Sequence, residues 1–133
     1  IIDINSNTVT TIGSEAIKNN PELEQISFSN ITSIDSTICL NNPKLQSILL
    51  PSVTRISGGF SNNANLELVY APNITEFRAN NNAYTSIFTN CPKITSISWP
   101  NTLYNSYSSY QGYSGLVLDC PGLTTVDLSS MKY

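Results

Sequence analysis

Apolar and polar residues recur along this chain in five segments of one form, N-x-P-x-L-x-x-I with small variations. The first segment is NNPELEQISF at residues 19–28. The others are NNPKLQSILL at 41–50, NNANLELVYA at 62–71, NCPKITSISW at 90–99 and DCPGLTTVDL at 119–128. Their leading apolar residues are separated by 22, 21, 28 and 29 residues (23 to 45, 45 to 66, 66 to 94 and 94 to 123). A period in the twenties predicts a solenoid, in which each coil packs only on its neighbours.

Each segment predicts one β-strand. Apolar residues lie at the leading position, three residues later and five residues later, and the last two alternate with polar residues as in a half-buried strand. Stacked coils would align these strands in a parallel sheet. We therefore expect parallel strands centred on Ile26, Ile48, Val69, Ile97 and Val126. We expect the five leading residues to be buried: Leu23, Leu45, Leu66, Ile94 and Leu123.

Equivalent positions of successive repeats, which we call columns, predict the rest of the core. Apolar residues recur eight and eleven positions after the leading residue, and one more column lies six positions before it (Ile17, Cys39, Phe60, Phe88 and Val117). Six inward positions per coil predict a continuous core that no single coil could build alone. The largest and the smallest residue of one column, Trp99 and Ala71, belong to neighbouring coils, which predicts close packing by volume compensation.

A polar column lies three residues before the leading apolar residue. It contains Asn20, Asn42 and Asn63, and Cys91 and Cys120 continue it. An Asn in a tight turn can satisfy backbone groups of its own coil and of its neighbours. Adjacent strands are about 4.8 Å apart, so a disulfide between the two cysteines is an alternative. We expect free, packed thiols there, with Cys39 as a small hydrophobic core residue.

This pattern resembles the BspA-like, or Treponema-type, leucine-rich repeats, whose unit runs roughly I-G-x-x-A-F-x-x-C-x-x-L-x-x-I-x-I-P. Residues 12–28, IGSEAIKNNPELEQISF, follow that unit almost column by column, and residues 90–100 and 118–128 carry its Cys. The resemblance implies an α/β leucine-rich-repeat solenoid with one parallel sheet, short helical or irregular corners and about five coils. Residues 1–133 would then be a single solenoid domain, part of a longer repeat or surface protein.

Composition narrows the classes of partner. The formal net charge is −3 and only 11% of the residues are charged. This balance argues against nucleic acid and against an anionic membrane surface, since both select basic surfaces. No apolar run approaches the roughly 18 residues of a membrane-spanning helix, so we expect no membrane insertion. The chain begins Ile1-Ile2 without Met, so we interpret it as processed or excised from a longer protein.

Catalytic groupings are not apparent in the sequence. The chain contains no histidine, which removes Ser-His-Asp triads, Cys-His pairs and the commonest metal ligand. A carboxylate pair for glycoside hydrolysis stays conceivable, but the acidic residues are scattered. Glu24 and Glu67 share a column yet are two coils apart. We therefore predict no catalytic residue, no cofactor and no metal site.

Two insertions form the first candidate site. Residues 78–86 and 104–115 lengthen the same corner of consecutive coils, so they should emerge side by side. Tyr provides a large amphipathic contact area, and Ser, Gly and Asn provide adaptable hydrogen bonds, as in antibody paratopes. This composition predicts a binding surface, the alternative being polar decoration whose tyrosines pack back on the solenoid. The tyrosines are Tyr84, Tyr104, Tyr107, Tyr110 and Tyr113.

The outward face of the predicted sheet is the second candidate site. Leu49, Leu68 and Tyr70 should form a small apolar patch there, ringed by Ser, Gln and Glu. Exposed apolar patches often mark partner sites, although three residues are also compatible with an incidental patch.

The resemblance implies a non-enzymatic binding or adhesion module, secreted or at the cell surface, that recognises a protein or a glycan. The lack of catalytic groupings and the Tyr-rich insertions agree with this interpretation. One alternative is a parallel β-helix enzyme acting on polysaccharide, which would need an acidic cluster or an Arg in a groove. Another is a structural spacer within a larger surface protein.

Overall fold

The structure is a computed structural model that describes residues 2–78, 86–106 and 116–131. Within these ranges the chain forms fifteen short β-strands and no helix. The strands pair in parallel, and the chain visits three sheets in turn before it returns to the first. The parallel solenoid predicted from the repeat is therefore confirmed.

The first sheet contains the strand at the centre of each repeat. Its four hydrogen-bonded strands are β1 (Asp3–Ser6), β3 (Gln25–Phe28), β6 (Ser47–Leu49) and β9 (Leu68–Tyr70). A separate parallel pair, β12 (Ser96–Ser98) and β15 (Thr125–Asp127), contains the corresponding residues of the last two repeats. These positions confirm the five predicted strands, which are centred on Ile26, Ile48, Val69, Ile97 and Val126.

Two more sheets take the place of the expected helical corners. The second sheet contains β4 (Ser33–Ile34), β7 (Arg55–Ile56), β10 (Glu76–Arg78) and β13 (Tyr104–Ser106). The third contains β2 (Ile17–Lys18), β5 (Cys39–Leu40), β8 (Phe60–Ser61), β11 (Phe88–Thr89) and β14 (Val117–Leu118). Hydrogen bonds to the coils above and below hold these short strands, as the pairing of Ile34 with Ile56 shows.

The expectation of an α/β solenoid with one parallel sheet and short helical or irregular corners is confirmed only for the parallel solenoid: the described residues contain no helix, and further parallel sheets form at the corners. The corners of the earlier coils span five residues (from 12 to 17 and from 34 to 39), fewer than the roughly 12 residues that a marginally stable helix needs. In an extended form, an interior strand such as β5 or β7 instead points one apolar side chain inward and pairs with both neighbouring coils. The count of about five coils is not confirmed, because the first sheet is interrupted between β9 and β12.

The apolar columns fill the interior between the three sheets. Leu23, Leu45, Leu66 and Ile94 are buried, as predicted. The prediction for Leu123 is wrong, since its side chain is only half-buried. Leu123 belongs to the outermost described coil, which has a neighbour on one side only. That residues 1–133 form a single domain stays a prediction.

Candidate binding face

Buried side-chain amides connect successive coils where the third sheet leads back to the first. The Oδ1 atom of Asn42 accepts a hydrogen bond from the backbone N–H of Asn20 at 3.0 Å, and its Nδ2 atom donates to the Ile17 carbonyl at 3.1 Å. The backbone N–H of Asn42 donates to Oδ1 of Asn63 at 3.0 Å. Asn42 and Asn63 are fully buried, so these bonds satisfy backbone groups that water does not reach. The predicted role of the Asn column is confirmed.

Thiols continue this column in the later coils. The Sγ atom of Cys91 is 3.6 Å from the Phe60 carbonyl, and that of Cys120 is 3.8 Å from the Phe88 carbonyl. Phe60 and Phe88 are in register with Ile17, so each thiol donates where an Asn amide would donate. The thiols are free, and the expected reduced state is confirmed.

Burial holds the thiols of Cys39 and Cys91 in their protonated form. It raises the pKa of Cys39 to about 12 and that of Cys91 to about 11. In Cys91 a hydrogen bond from the backbone of Asn63 opposes part of the increase in pKa. Cys39 is a fully buried core residue, as predicted.

A second polar column was missed by the sequence analysis. The residue before each Asn or Cys of the first polar column has a positive φ, between 50° and 57°. At this residue the chain turns out of the third sheet. Asn and Asp tolerate this left-handed conformation better than other residues with a side chain. The signal was present in the sequence, because the column contains only these two types: Asn19, Asn41, Asn62, Asn90 and Asp119.

The first sheet is open at one place, which we call the seam: the interval between β9 and β12. Elsewhere one carbonyl accepts two backbone N–H groups of the next coil. The carbonyl of Gln46 accepts those of Glu67 and Leu68, at 2.9 and 3.1 Å, and the carbonyl of Thr95 accepts those of Thr124 and Thr125, at 2.9 and 3.3 Å. The carbonyl of Glu67 has no such donors. No backbone hydrogen bond joins residues 66–71 to residues 94–99, although the structure describes all of them.

The seam is local, because the same two coils are joined on either side of it. Before it, the backbone N–H of Asn62 donates to the Thr89 carbonyl at 2.9 Å. After it, the Nδ2 atom of Asn101 donates to the Pro72 carbonyl at 3.0 Å. The second and third sheets also continue past this level. Only the first sheet parts here.

A cluster of aromatic side chains lies at the level of the seam. The indole of Trp99 is fully buried, with its centroid 5.8 Å from the ring of Phe88 and 6.4 Å from that of Phe77. Trp99 immediately follows β12, in the column where the preceding coil has Ala71. Close-packed interiors transmit local size differences to the backbone. We attribute the opening to the room that the indole requires on this side.

The apolar patch lies directly on the rim of the seam. Leu68 and Tyr70 are 49% and 50% exposed, and Leu49, paired with Tyr70 across the sheet, is half-buried. Most other exposed large apolar residues of the described chain belong to its first or last coil, where one side has no neighbour. Leu68 and Tyr70 belong instead to an interior coil, so the position in the stack does not account for their exposure.

Two carboxylates, Glu24 and Glu67, lie beside this patch, and Lys44 is close enough to Glu24 to interact with it electrostatically. The strands of the first sheet and of the β12–β15 pair, with the residue before each strand, contain four acidic residues and no Lys or Arg: Asp3, Glu24, Glu67 and Asp127. Within the described ranges, the ion pairs are Lys18–Glu15, Lys44–Glu22 and Arg55–Asp35, at 2.6, 2.6 and 2.9 Å. None of these pairs involves a carboxylate of the face, which is therefore anionic as well as apolar.

Comparison with known proteins identifies the repeat. A family model for the BspA type leucine rich repeat region matches residues 1–87, in six copies. The chain belongs to the BspA-type leucine-rich repeat family. No curated protein and no solved structure matches the chain. The resemblance noted from the sequence is confirmed at the level of the family.

The described residues at the ends of the two insertions lie side by side in this BspA-type chain. Their first residues belong to β10 and β13, which are paired, and the strands that follow them, β11 and β14, are paired as well. The predicted loop tyrosines Tyr84, Tyr107, Tyr110 and Tyr113 lie outside the described residues, and for Tyr104 only its place in β13 is described. Whether these tyrosines bind a partner stays a prediction.

The described part of this BspA-type chain brings no metal-binding cluster together. Among the described residues, no three His, Cys, Asp or Glu side chains lie close enough to hold a metal ion. Glu24 and Glu67 lie on the same face with Gln46 in the coil between them, as the sequence indicated. No helix in the described ranges is long and apolar enough to cross a membrane.

Proposed function

We propose that this chain is a non-enzymatic binding module, secreted or attached to a cell surface, that recognises a protein or glycan partner. BspA-type repeats are often found in surface-associated binding proteins, and this membership supports the general function. The binding surface is the outer face of the first sheet around Leu49, Leu68 and Tyr70.

The observation that carries the proposal is the exposure of Leu68 and Tyr70 in an interior coil. Side chains at these positions of a solenoid sheet project outward without an obstructing corner, and apolar exposure there has a free-energy cost that a partner can recover. The Glu67 carbonyl adds a backbone acceptor without a ladder donor at the same rim. Together they form a surface that offers both apolar contact and a hydrogen bond.

The Tyr-rich insertions 78–86 and 104–115 are the second candidate surface. The pairing of β10 with β13 and of β11 with β14 favours this candidate, because it brings the ends of both insertions to one corner of adjacent coils. Both surfaces are compatible with the same function, but they predict different effects of mutation.

An array of extracellular proteins and neutral, acidic and basic glycans, probed with the labelled chain, tests the function. The double variant Leu68→Ser/Tyr70→Ser should lose binding of any captured protein or glycan while its thermal melt is unchanged. A matched variant, with residues 78–86 and 104–115 shortened to the five-residue corner of the earlier coils, should keep it. The opposite result would move the site to the insertions. No binding to the array would favour the structural spacer, and release of reducing ends from a glycan would favour the enzyme.

A further inference from the structure

The charge around the seam indicates what kind of partner fits the proposed site. The chain has nine acidic and six basic residues, and three of the acidic ones, Asp3, Glu24 and Glu67, lie in the strands of the first sheet or directly before them. Since none of the basic residues lies there, the charge of this face is more negative than the chain average. Complementary charge selects partners and accelerates their approach, whereas like charges repel.

Glu67 is the carboxylate closest in sequence to the exposed apolar residues. It directly precedes Leu68, and its side chain is exposed. Its backbone N–H donates to the Gln46 carbonyl at 2.9 Å, which fixes the main chain at this point. Its own carbonyl has no donor from the next coil. Residue 67 therefore offers a partner both a carboxylate and a backbone acceptor.

The dimensions of the patch suit a short segment rather than a broad surface. Leu68 and Tyr70 lie two residues apart on one strand, which is about 7 Å, and Leu49 lies one strand away, which is about 4.8 Å. Such an area accommodates one or two apolar side chains. Glu67 and Glu24 lie beside it with Gln46 between them, so cationic groups that flank the apolar side chains of a partner would meet carboxylates.

Resting on the proposed function, we infer that the face binds a cationic, apolar segment of a protein. An apolar side chain of the partner packs on Leu49, Leu68 and Tyr70. A neighbouring Lys or Arg of the partner pairs with the Glu67 carboxylate, and its remaining N–H groups reach the open Glu67 carbonyl. An arginine is favoured, because its planar fork can donate to two acceptors at once. Acidic glycans are disfavoured, because their charge has the same sign as the face.

Three synthetic eight-residue peptides provide the probe: one alternates Leu and Arg, and the other two replace every Arg by Gln or by Glu. Binding to the folded chain is measured by fluorescence anisotropy at low and at physiological salt. The Arg peptide should bind at least about tenfold tighter than the other two, and salt should weaken it. A sulfated oligosaccharide of similar length serves as the acidic-glycan probe and should not bind.

The matched variants separate a local effect from the overall charge. Glu67→Gln should weaken the Arg peptide about three- to tenfold, as should Tyr70→Ser, whereas Asp119→Asn should leave its affinity within about twofold. Asp119→Asn removes the same charge away from the face, and Asn occupies that column in four other coils with the same positive φ. Thermal melts check that each variant is folded.

Several results would overturn the inference: equal affinity of the three peptides, no peptide binding, or equal loss in Glu67→Gln and Asp119→Asn. Preferential binding of the sulfated oligosaccharide would also overturn it. If array ligands depend on Leu68 and Tyr70 but the Arg peptide does not bind, the face remains the binding site and only the cationic chemistry is wrong. If the binding of array ligands does not change when Leu68 and Tyr70 are substituted, the face is not the binding site.

Discussion

The first sheet behaves in two different ways along one solenoid. Between β3, β6 and β9, successive strands pair residue for residue, and the inward Ile26 and Ile48 are fully buried. Between β9 and β12 the ladder is missing, although both strands carry the same repeat pattern. The inward Val69, beside the seam, is only half-buried. One repeat sequence can therefore support both a closed and an open interface between coils.

The difference is explained by what holds each interface. Backbone hydrogen bonds and close packing act together in the closed part, whereas at the seam the second and third sheets, the corner bonds and the aromatic cluster join the coils without a first-sheet ladder. In a solenoid each interface contributes separately to stability. The seam is thus the place where a surface can be opened for binding without disturbing the remaining interfaces.

Truncation of a core side chain should show the largest difference in stability between the closed part of the first sheet and the seam. Leu45→Ala should cost roughly 2–5 kcal/mol, because it leaves a cavity in a fully buried column. Val69→Ala should cost about 1 kcal/mol, since less apolar area is lost from water and the rim can adjust. Urea denaturation of both variants makes the comparison. A loss below about 1 kcal/mol for Leu45→Ala would mean that this column is not core.

Substitutions in the column of buried Asn side chains should have the next largest effect on the free energy of unfolding. Asn42→Ala removes partners from the Asn20 N–H and the Ile17 carbonyl, and leaving buried polar groups unpaired costs about 1–3 kcal/mol. Asn63→Cys should cost less, because a thiol already occupies the same column at Cys91 with a bond to the corresponding carbonyl. If both variants melt alike in denaturant, the thiol does not substitute for the amide.

The buried thiols predict a loss of stability at high pH. A thiol has a usual pKa of about 8.5, and burial raises those of Cys39 and Cys91 to about 12 and about 11. Their contribution is fully present below the unfolded pKa and is lost as the pH rises toward the folded values, because only the unfolded chain ionises in that window. Stability should fall by about 1.4 kcal/mol per pH unit for each thiol there.

Cys91→Asn provides the control for this pH dependence. This variant has at position 91 the Asn that the earlier coils have at the equivalent position, and it lacks one of the two buried thiols. Denaturant melts between pH 8 and pH 10.5 should show a shallower decline than in the parent chain. An identical slope would contradict the assignment of that decline to Cys91.

Hydrogen exchange should reveal the smallest difference, which is local to the seam. The amides of Glu67 and Leu68 donate to Gln46, whereas those of Thr95 and Ser96 have no backbone acceptor in the preceding coil. We expect the latter two to exchange at least about tenfold faster, because their exchange needs no opening of a ladder. NMR-detected exchange measures all four. Trp99→Leu should narrow the difference if the indole holds the strands apart, and equal protection in the parent chain would mean that the seam is closed.

Much of the architecture could be predicted from the sequence, and particular residues show why. The strand centred on Ile48 is flanked by Leu45 and Leu50, so three inward positions at fixed spacing define both the strand and its buried side. The bonding of Asn42 to neighbouring coils could be predicted because Asn recurs at the same position of successive repeats. Such periodicity is visible along the chain because every coil meets the same neighbours.

The second and third sheets could not be predicted in the same way. Ser33–Ile34 and Cys39–Leu40 are two residues long, and each points one apolar side chain inward. Alternation needs at least about four residues to be recognised. The expectation of helical corners came from the family resemblance, and the described residues show strands instead, because pairing with the coils on both sides stabilises extended segments that are too short for a helix.

The sequence by itself determined the repeat, its strand centres and most of its buried columns, because those depend on spacing alone. The seam and its exposed rim were decided by the tertiary structure. β9 and β12 have the same pattern, and nothing in either strand indicates that they part. We attribute their separation to the room that Trp99, Phe88 and Phe77 occupy, and these side chains come from three different sheets or their edges. Packing among such elements is a property of the folded core, so the open rim at Leu68 and Tyr70 arises only in three dimensions.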